Sequence, residues 1–212
     1  MINLDDITVN TQSSVCIRSS KVLRFDPFKI NQHPNDADII FITHEHYDHF
    51  SCEDIKKCAK ENTIIIFPKS MEKSIAQTSI KLENRIALTP GEHIEIDGIK
   101  IETVPAYNIR KPFHPKRNGW VGYVVSMDSV RFYIAGDTDA VEEARAVKCD
   151  VAFIPIGGTY TTNAKEAAEI ANAIKPSAAI PIHYGSIVGK LKDADTFKNY
   201  VDSDIQIVVK IS

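Results

Sequence analysis

Three imidazoles and two carboxylates fall within the short stretch Thr43-His44-Glu45-His46-Tyr47-Asp48-His49. The stretch follows the apolar run Asp38-Ile39-Ile40-Phe41-Ile42, so it stands where a buried strand opens into a loop. Side chains alternate faces along an extended chain, which points His44 and His46 the same way and lets them grip one ion. Asp48 and His49 then turn towards a second position as the chain bends into a helix. Imidazole and carboxylate donors suit zinc and also manganese, iron or nickel, so these residues name a site before they name a metal. By the same alternation Glu45 and Tyr47 face away from the first position and are expected to support the site or lie on the surface.

Two more candidate ligands stand at strand ends far away in sequence. Asp137 follows the apolar run Val130-Arg131-Phe132-Tyr133-Ile134 and Ala135-Gly136, and His183 follows Ala178-Ala179-Ile180-Pro181-Ile182. Ligand sites in mixed α/β folds gather outside the carboxyl ends of strands. His44, Asp137 and His183 therefore point to one common mouth.

At His44-x-His46-x-Asp48-His49 the chain resembles the metallo-β-lactamase superfamily, whose signature is His-x-His-x-Asp-His after a strand. The likeness continues through Asp26-Pro27, Gly136-Asp137-Thr138-Asp139 and Pro181-Ile182-His183-Tyr184. It is closest to small metal-dependent hydrolases of that superfamily and to its ascorbate-phosphate lactonase and N-acyl-phosphatidylethanolamine phospholipase D groups. The resemblance implies an α/β (α+β) chain folded as a four-layer αββα sandwich, two mixed sheets face to face with helices outside. It also implies two divalent metal ions, zinc foremost. His44, His46 and Asp137 would hold the first, and Asp48, His49, Asp137 and His183 the second. A hydroxide between the ions would attack a carbonyl carbon or phosphorus, with Asp48 orienting it.

The likeness falters at Asn108, where many members carry a histidine. An amide oxygen is a poorer zinc ligand than imidazole, so either Asn108 or His114, six residues on, completes the first site. Asp26, which the resemblance places under the metals, is equally an ordinary turn residue before proline. Gln12 stands near a position where members often have histidine or asparagine. Gly136 is expected to let the backbone pass close to the ions, and Asp139 to cap a following helix at 141–144.

The elements that must position these residues are legible in outline. Ile7-Thr8-Val9, residues 14–18 and residues 22–25 read as a meander at one sheet edge, and Thr63-Ile64-Ile65-Ile66-Phe67 as a buried parallel strand. Ser51-x-x-Asp54 looks like a capping box opening a short helix, and residues 70–77 read as another. Asp97-Gly98 turns a hairpin within 88–104, and Met127-Asp128-Ser129 turns a second. Asn163 and Glu166 box the start of a helix whose Ala164, Ala167, Ala168, Ala171 and Ile174 share one face before Pro176. Residues 205–211 read as a closing edge strand. His33 and His93 are expected on the surface.

Composition bounds the rest. The 212 residues suit one domain, 1–212, and a net charge of −3 gives no general attraction to nucleic acid or anionic membrane. Cys16, Cys52, Cys58 and Cys149 show no framework spacing, no signal peptide is visible, and no apolar run spans a bilayer, so a cytoplasmic protein without membrane insertion is expected. Arg110, Lys111, Lys116 and Arg117 either receive a phosphate or carboxylate beside the cleft or form a solvated loop, and Tyr184 and Tyr107 are further candidates for the substrate's anionic end. The expected function is a metal-dependent hydrolase of a small, anionic ester, lactone or phosphodiester, with a homo-oligomer left open. The alternative is a non-hydrolytic metal-binding or redox protein, or a degenerate sensor, of the same fold.

Overall fold

Strands that are apolar on both faces need a layer on either side, and 151–155 and 178–182 are buried at every position. The computed structural model, which describes residues 3–211, meets that demand with two sheets. In the first, β1 (Ile7–Val9), β2 (Val15–Arg18), β3 (Val22–Phe25), β4 (Ala37–Phe41), β5 (Ala59–Pro68) and β6 (Arg85–Leu88) lie side by side in sequence order. The first three form the expected antiparallel meander, and the rest run parallel.

The second sheet holds β7 (His93–Ile96), β8 (Ile99–Pro105), β9 (Val121–Met127), β10 (Val130–Ile134), β11 (Val151–Pro155), β12 (Ala178–Ile182) and β13 (Gln206–Ile207), in the order β13-β12-β11-β10-β9-β8-β7. Leu23, Phe25, Phe41 and Ile66 of the first sheet share one core with Tyr123, Ile134, Phe153 and Ile180 of the second. On the first sheet's outer face, Ile40, Ile65 and Phe67 pack under α1 (Cys52–Cys58) and α2 (Glu72–Ile75). The alternate residues of the second sheet, Tyr133, Ala152, Ile154 and Ala179, lie under α3 (Glu142–Arg145), α4 (Ala164–Ile174) and α5 (Asp193–Tyr200). The result is the four-layer αββα arrangement. Tyr123 ties the layers together beneath the histidine-rich loop, its hydroxyl donating to the Ile42 carbonyl at 2.7 Å.

Local readings hold where short-range chemistry decides. Asn163 and Glu166 form both halves of a capping box, and the alanine face of α4 is buried. Ser51 caps α1, but Asp54 does not reciprocate: its carboxylate instead accepts from the amides of Lys29 and Ile30. The helix expected at 70–77 shortens to a 3-10 turn, Lys69–Met71, and the single turn of α2. The closing edge strand is confined to Gln206–Ile207. After Val208 donates to Ala179, the chain turns to meet Tyr184 through the Ile211 carbonyl. No helix among the described residues is long and apolar enough to cross a membrane.

Candidate metal centre

The histidine-rich loop leaves β4 through Thr43, and a buried carboxylate fixes its path. Asp26, with φ 43°, accepts from the Thr43 amide at 2.8 Å and from its hydroxyl at 2.6 Å. The same carboxylate lies 2.7 Å from His49 Nδ1, and Thr43 Oγ1 lies 2.9 Å from His44 Nδ1. With Thr43 donating to Asp26, both imidazoles carry their proton on the outer nitrogen. That aims Nε2 of each inward as the atom open to an ion, and hydrogen bonds of this kind orient metal-ligating histidines.

Three segments of the second sheet bring the remaining groups. β10 leads through Gly136, with φ 65°, to Asp137. A Cβ at Gly136 would lie 3.0 Å from the Val121 carbonyl and 3.3 Å from Thr43 Cβ. The glycine thus permits a close crossing against Val121 and Thr43. β12 ends at His183, which takes a left-handed φ of 56° while its amide donates to the Gln12 carbonyl. His114 comes from the loop between β8 and β9. Its amide and Nδ1 both donate to Asn108 Oδ1, at 3.0 and 2.9 Å.

That contact separates the two residues of the open pair. Asn108 has its oxygen on His114 and its Nδ2 on Asp139 and the Tyr160 carbonyl, so it orients His114 and offers no donor inward. Asp139 is no helix cap: it accepts from Asn108, Ile109 and Lys111, and holds this loop in place. Gln12 is fully buried, yet both its amide atoms lack a hydrogen-bond partner.

Two groups of donor atoms result, His44, His46, His114 and Asp137 in one, Asp48, His49 and His183 in the other, each within 4.8 Å. In the first, His44 Nε2 is 3.1 Å from His46 Nδ1 and 3.8 Å from Asp137 Oδ2, which is 3.3 Å from His114 Nε2. In the second, Asp48 Oδ2 is 3.3 Å from His183 Nε2 and 3.6 Å from His49 Nε2. Four-coordinate zinc with bonds of about 2.0–2.2 Å places its ligands roughly 3.3–3.6 Å apart. Nε2 of His49, His114 and His183, together with Asp137 Oδ1, is buried without a hydrogen-bond partner. Such orphaned atoms are costly unless something binds them, and an all-imidazole and carboxylate donor set fits divalent zinc, iron or manganese.

Without ions, the groups must share protons. Burial and then the neighbouring His49 push His44 well below the ordinary imidazole value, and burial lowers His46. Burial opposes a charge on His49 too, but Asp137 and Asp26 raise it well above that value, and His183 is lifted against burial to about 9 by Asp137 and Asp48. Burial would raise the Asp137 carboxyl, yet His183 and His49 hold it well below the usual carboxylate range.

The signs oppose across the ordinary imidazole value of 6.5. The raised His49 and His183 stabilise the fold fully below it and lose that contribution as pH climbs, His183 through about 9. The lowered His44 and His46 contribute above it and lose it as pH falls. Chelator-treated protein should therefore melt highest near pH 6.5 and lower on both sides. Melting curves from pH 5 to 9.5 check this, and a melting temperature that climbs steadily to pH 9 contradicts it.

The groups open into a cleft of about 320 Å³. His46, Asp48, Asp137 and His183 form its floor, and Tyr47, Phe113, Tyr160 and Ile187 its walls. Tyr184 is absent from the cleft: it is fully buried and donates to the Ile211 carbonyl, which overturns its expected contact with substrate. Tyr107 donates to Glu143. Neither lysine nor arginine lines the cleft. Lys111 pairs with Asp139, and Lys116 with Glu143. His33 and His93 are exposed, as expected. Trp120, the chain's single tryptophan, packs its ring 5.0, 4.9 and 5.5 Å from those of His44, His46 and His114. No sequence pattern marked it.

A family profile described as a beta-lactamase superfamily domain matches residues 6–183. The chain belongs to the beta-lactamase superfamily. The match reaches from β1 to His183, so this superfamily domain contains Asp26, the histidine-rich loop, His114 and Asp137. Among its superfamily relatives, a protein of Thermoplasma acidophilum named a UPF0173 metal-dependent hydrolase is 34% identical, over 82% of this chain and 80% of its own. A similarly named protein of Thermococcus onnurineus is 30% identical over 82% of this chain and 79% of its own. A crystal structure from Parabacteroides distasonis, also named for a metal-dependent hydrolase, is 29% identical, with a TM-score of 0.81 over 97% of this chain and 93% of that one.

Proposed function

We propose that this chain, as a single domain, is a metal-dependent hydrolase with two divalent ions, zinc foremost. His44, His46, His114 and Asp137 would hold one, and Asp48, His49, His183 and Asp137 the other. The observation that carries this reading is the place of Asp137 between the two groups. Its Oδ2 is 3.3 Å from His114 Nε2 and 3.2 Å from His183 Nε2, while Oδ1 is 3.3 Å from His49 Nε2. Relatives named metal-dependent hydrolases support the reaction class.

Such ions supply Lewis acidity and make water acidic enough to ionise near neutral pH. The chain's own residues do the remaining work. Asp48 belongs to the donor group and also lines the cleft, so its carboxylate is placed to orient the attacking water and hold its proton. His183 Nε2 lies 3.3 Å away and would share the second ion with that carboxylate. The bond broken is an ester, lactone or phosphodiester, brought to the floor through the cleft lined by His46 and Asp48.

The test is to purify the protein without chelator or metal-affinity tag, measure metal per chain, and assay esters, lactones and phosphodiesters. About two zinc or manganese ions with chelator-sensitive hydrolysis are expected. Two irons with a charge-transfer band and no hydrolysis would favour the redox alternative. A protein that takes up no metal on dialysis would sink both.

A further inference from the structure

We infer that this site takes substrates whose portion remote from the scissile bond is uncharged and apolar, a short alkyl or aryl arm seated among Tyr47, Phe113, Tyr160 and Ile187. The nature of the breaking bond rests on the hydrolase reading above; the seat of the arm does not.

Tyr47, Phe113 and Ile187 are 67%, 41% and 36% exposed and come from three separate segments, yet they line one opening. Large apolar side chains left bare around a concavity mark a binding surface. The rings are held in place: Phe113 meets Tyr160 edge-on at 4.6 Å, and Tyr47 meets Phe28 edge-on at 6.1 Å. None of the four basic residues of segment 110–117 lines this opening. Besides the paired Lys111 and Lys116, Arg110 lines a different hollow, beside Glu166 and Glu169. An anionic arm would lose its hydration against these rings with no partner to replace it. Positive charge from bound ions would sit at the floor and act on the reacting group, not on the arm. The Tyr47 and Tyr160 hydroxyls offer neutral donors to an ether or carbonyl oxygen. A cleft of about 320 Å³ lies at the small end of ligand sites, which keeps the arm short.

This reading departs from the anionic substrate expected from the basic segment. It is tested on metal-loaded protein with two esters of matched size, 4-nitrophenyl butyrate and 4-nitrophenyl hemisuccinate, which differ in a terminal methyl or carboxylate. Relative to their hydrolysis by hydroxide, kcat/KM should favour the butyrate by about tenfold or more, and Phe113→Arg should narrow or reverse the ratio. Equal or faster hydrolysis of the hemisuccinate by the unaltered protein overturns the inference.

A second readout needs no turnover. Hexan-2-one, which has no hydrolysable bond, should bind saturably by ligand-observed NMR and bind several-fold more weakly to Phe113→Arg and Ile187→Asp. Absence of saturable binding, or binding indifferent to both substitutions, overturns it. If neither ester is hydrolysed, the hydrolase reading fails and the ketone alone decides where the arm sits. Both altered residues are exposed, so melting curves should confirm intact folds.

Discussion

Asp137→Asn is expected to leave a folded protein that binds at most one ion per chain and loses on the order of 10³-fold in kcat/KM, several kcal/mol of transition-state stabilisation. The substitution keeps the shape of the side chain and removes one charge at the point where the two donor groups meet. A carboxylate can serve two cations at once, and an amide cannot. The metal-free variant carries a second signature. Asp137 is the main influence raising His183 to about 9 against burial, so without it His183 should titrate lower. The alkaline fall in stability should then begin at a lower pH. Elemental analysis, kinetics and melting curves read the three effects separately. Two bound ions and activity within about tenfold of the parent would show that Asp137 is not shared.

Asp26→Ala should have the largest effect on stability. The deletion strands the Thr43 amide, the Thr43 hydroxyl and His49 Nδ1 where Asp26 itself has no exposure. Removing one partner of a buried charged pair costs about 3–5 kcal/mol, and at this chain length each kcal/mol lowers the melting temperature by about 2–4 °C. A fall of roughly 10 °C is expected, together with metal affinity weakened by about 10–100-fold through the lost orientation of His49. Asp26→Asn, which retains one acceptor for Thr43, should fall between. Melting within about 2 °C of the parent would mean that Asp26 is only a turn residue.

The candidate ligands that lie beside apolar strands were legible because two kinds of pattern agree. Four donors crowd one loop, and the strands that deliver Asp137 and His183 are largely apolar runs. The choice between Asn108 and His114 was not legible, because Asp139, 31 positions away from Asn108, decides it. No local pattern shows a hydrogen bond of that span. The fate of the basic segment was hidden for the same reason: Lys111 and Lys116 find partners in Asp139 and Glu143, from other parts of the chain. Phe113, Tyr160 and Ile187 are isolated apolar residues in polar loops and read as chance until the fold gathers them. Trp120, between Gly119 and Val121, reads as ordinary core. The helix at 70–77 was overextended because apolar spacing there reflects packing against the first sheet, which a single turn can satisfy.

Each donor group draws on both sheets. His44, His46, Asp48 and His49 leave the first sheet, while His114, Asp137 and His183 leave the second. An ion seated in either group would therefore rivet one layer to the other. Its binding free energy would enter the folding equilibrium, adding about 2.7 kcal/mol at a hundredfold excess over Kd and about 4.1 at a thousandfold. Metal supply would then govern how much of this protein survives as well as how fast it turns over substrate. A cell short of the ion would hold a looser chain, open between its sheets and offered to proteases, and would lose the protein before losing its message.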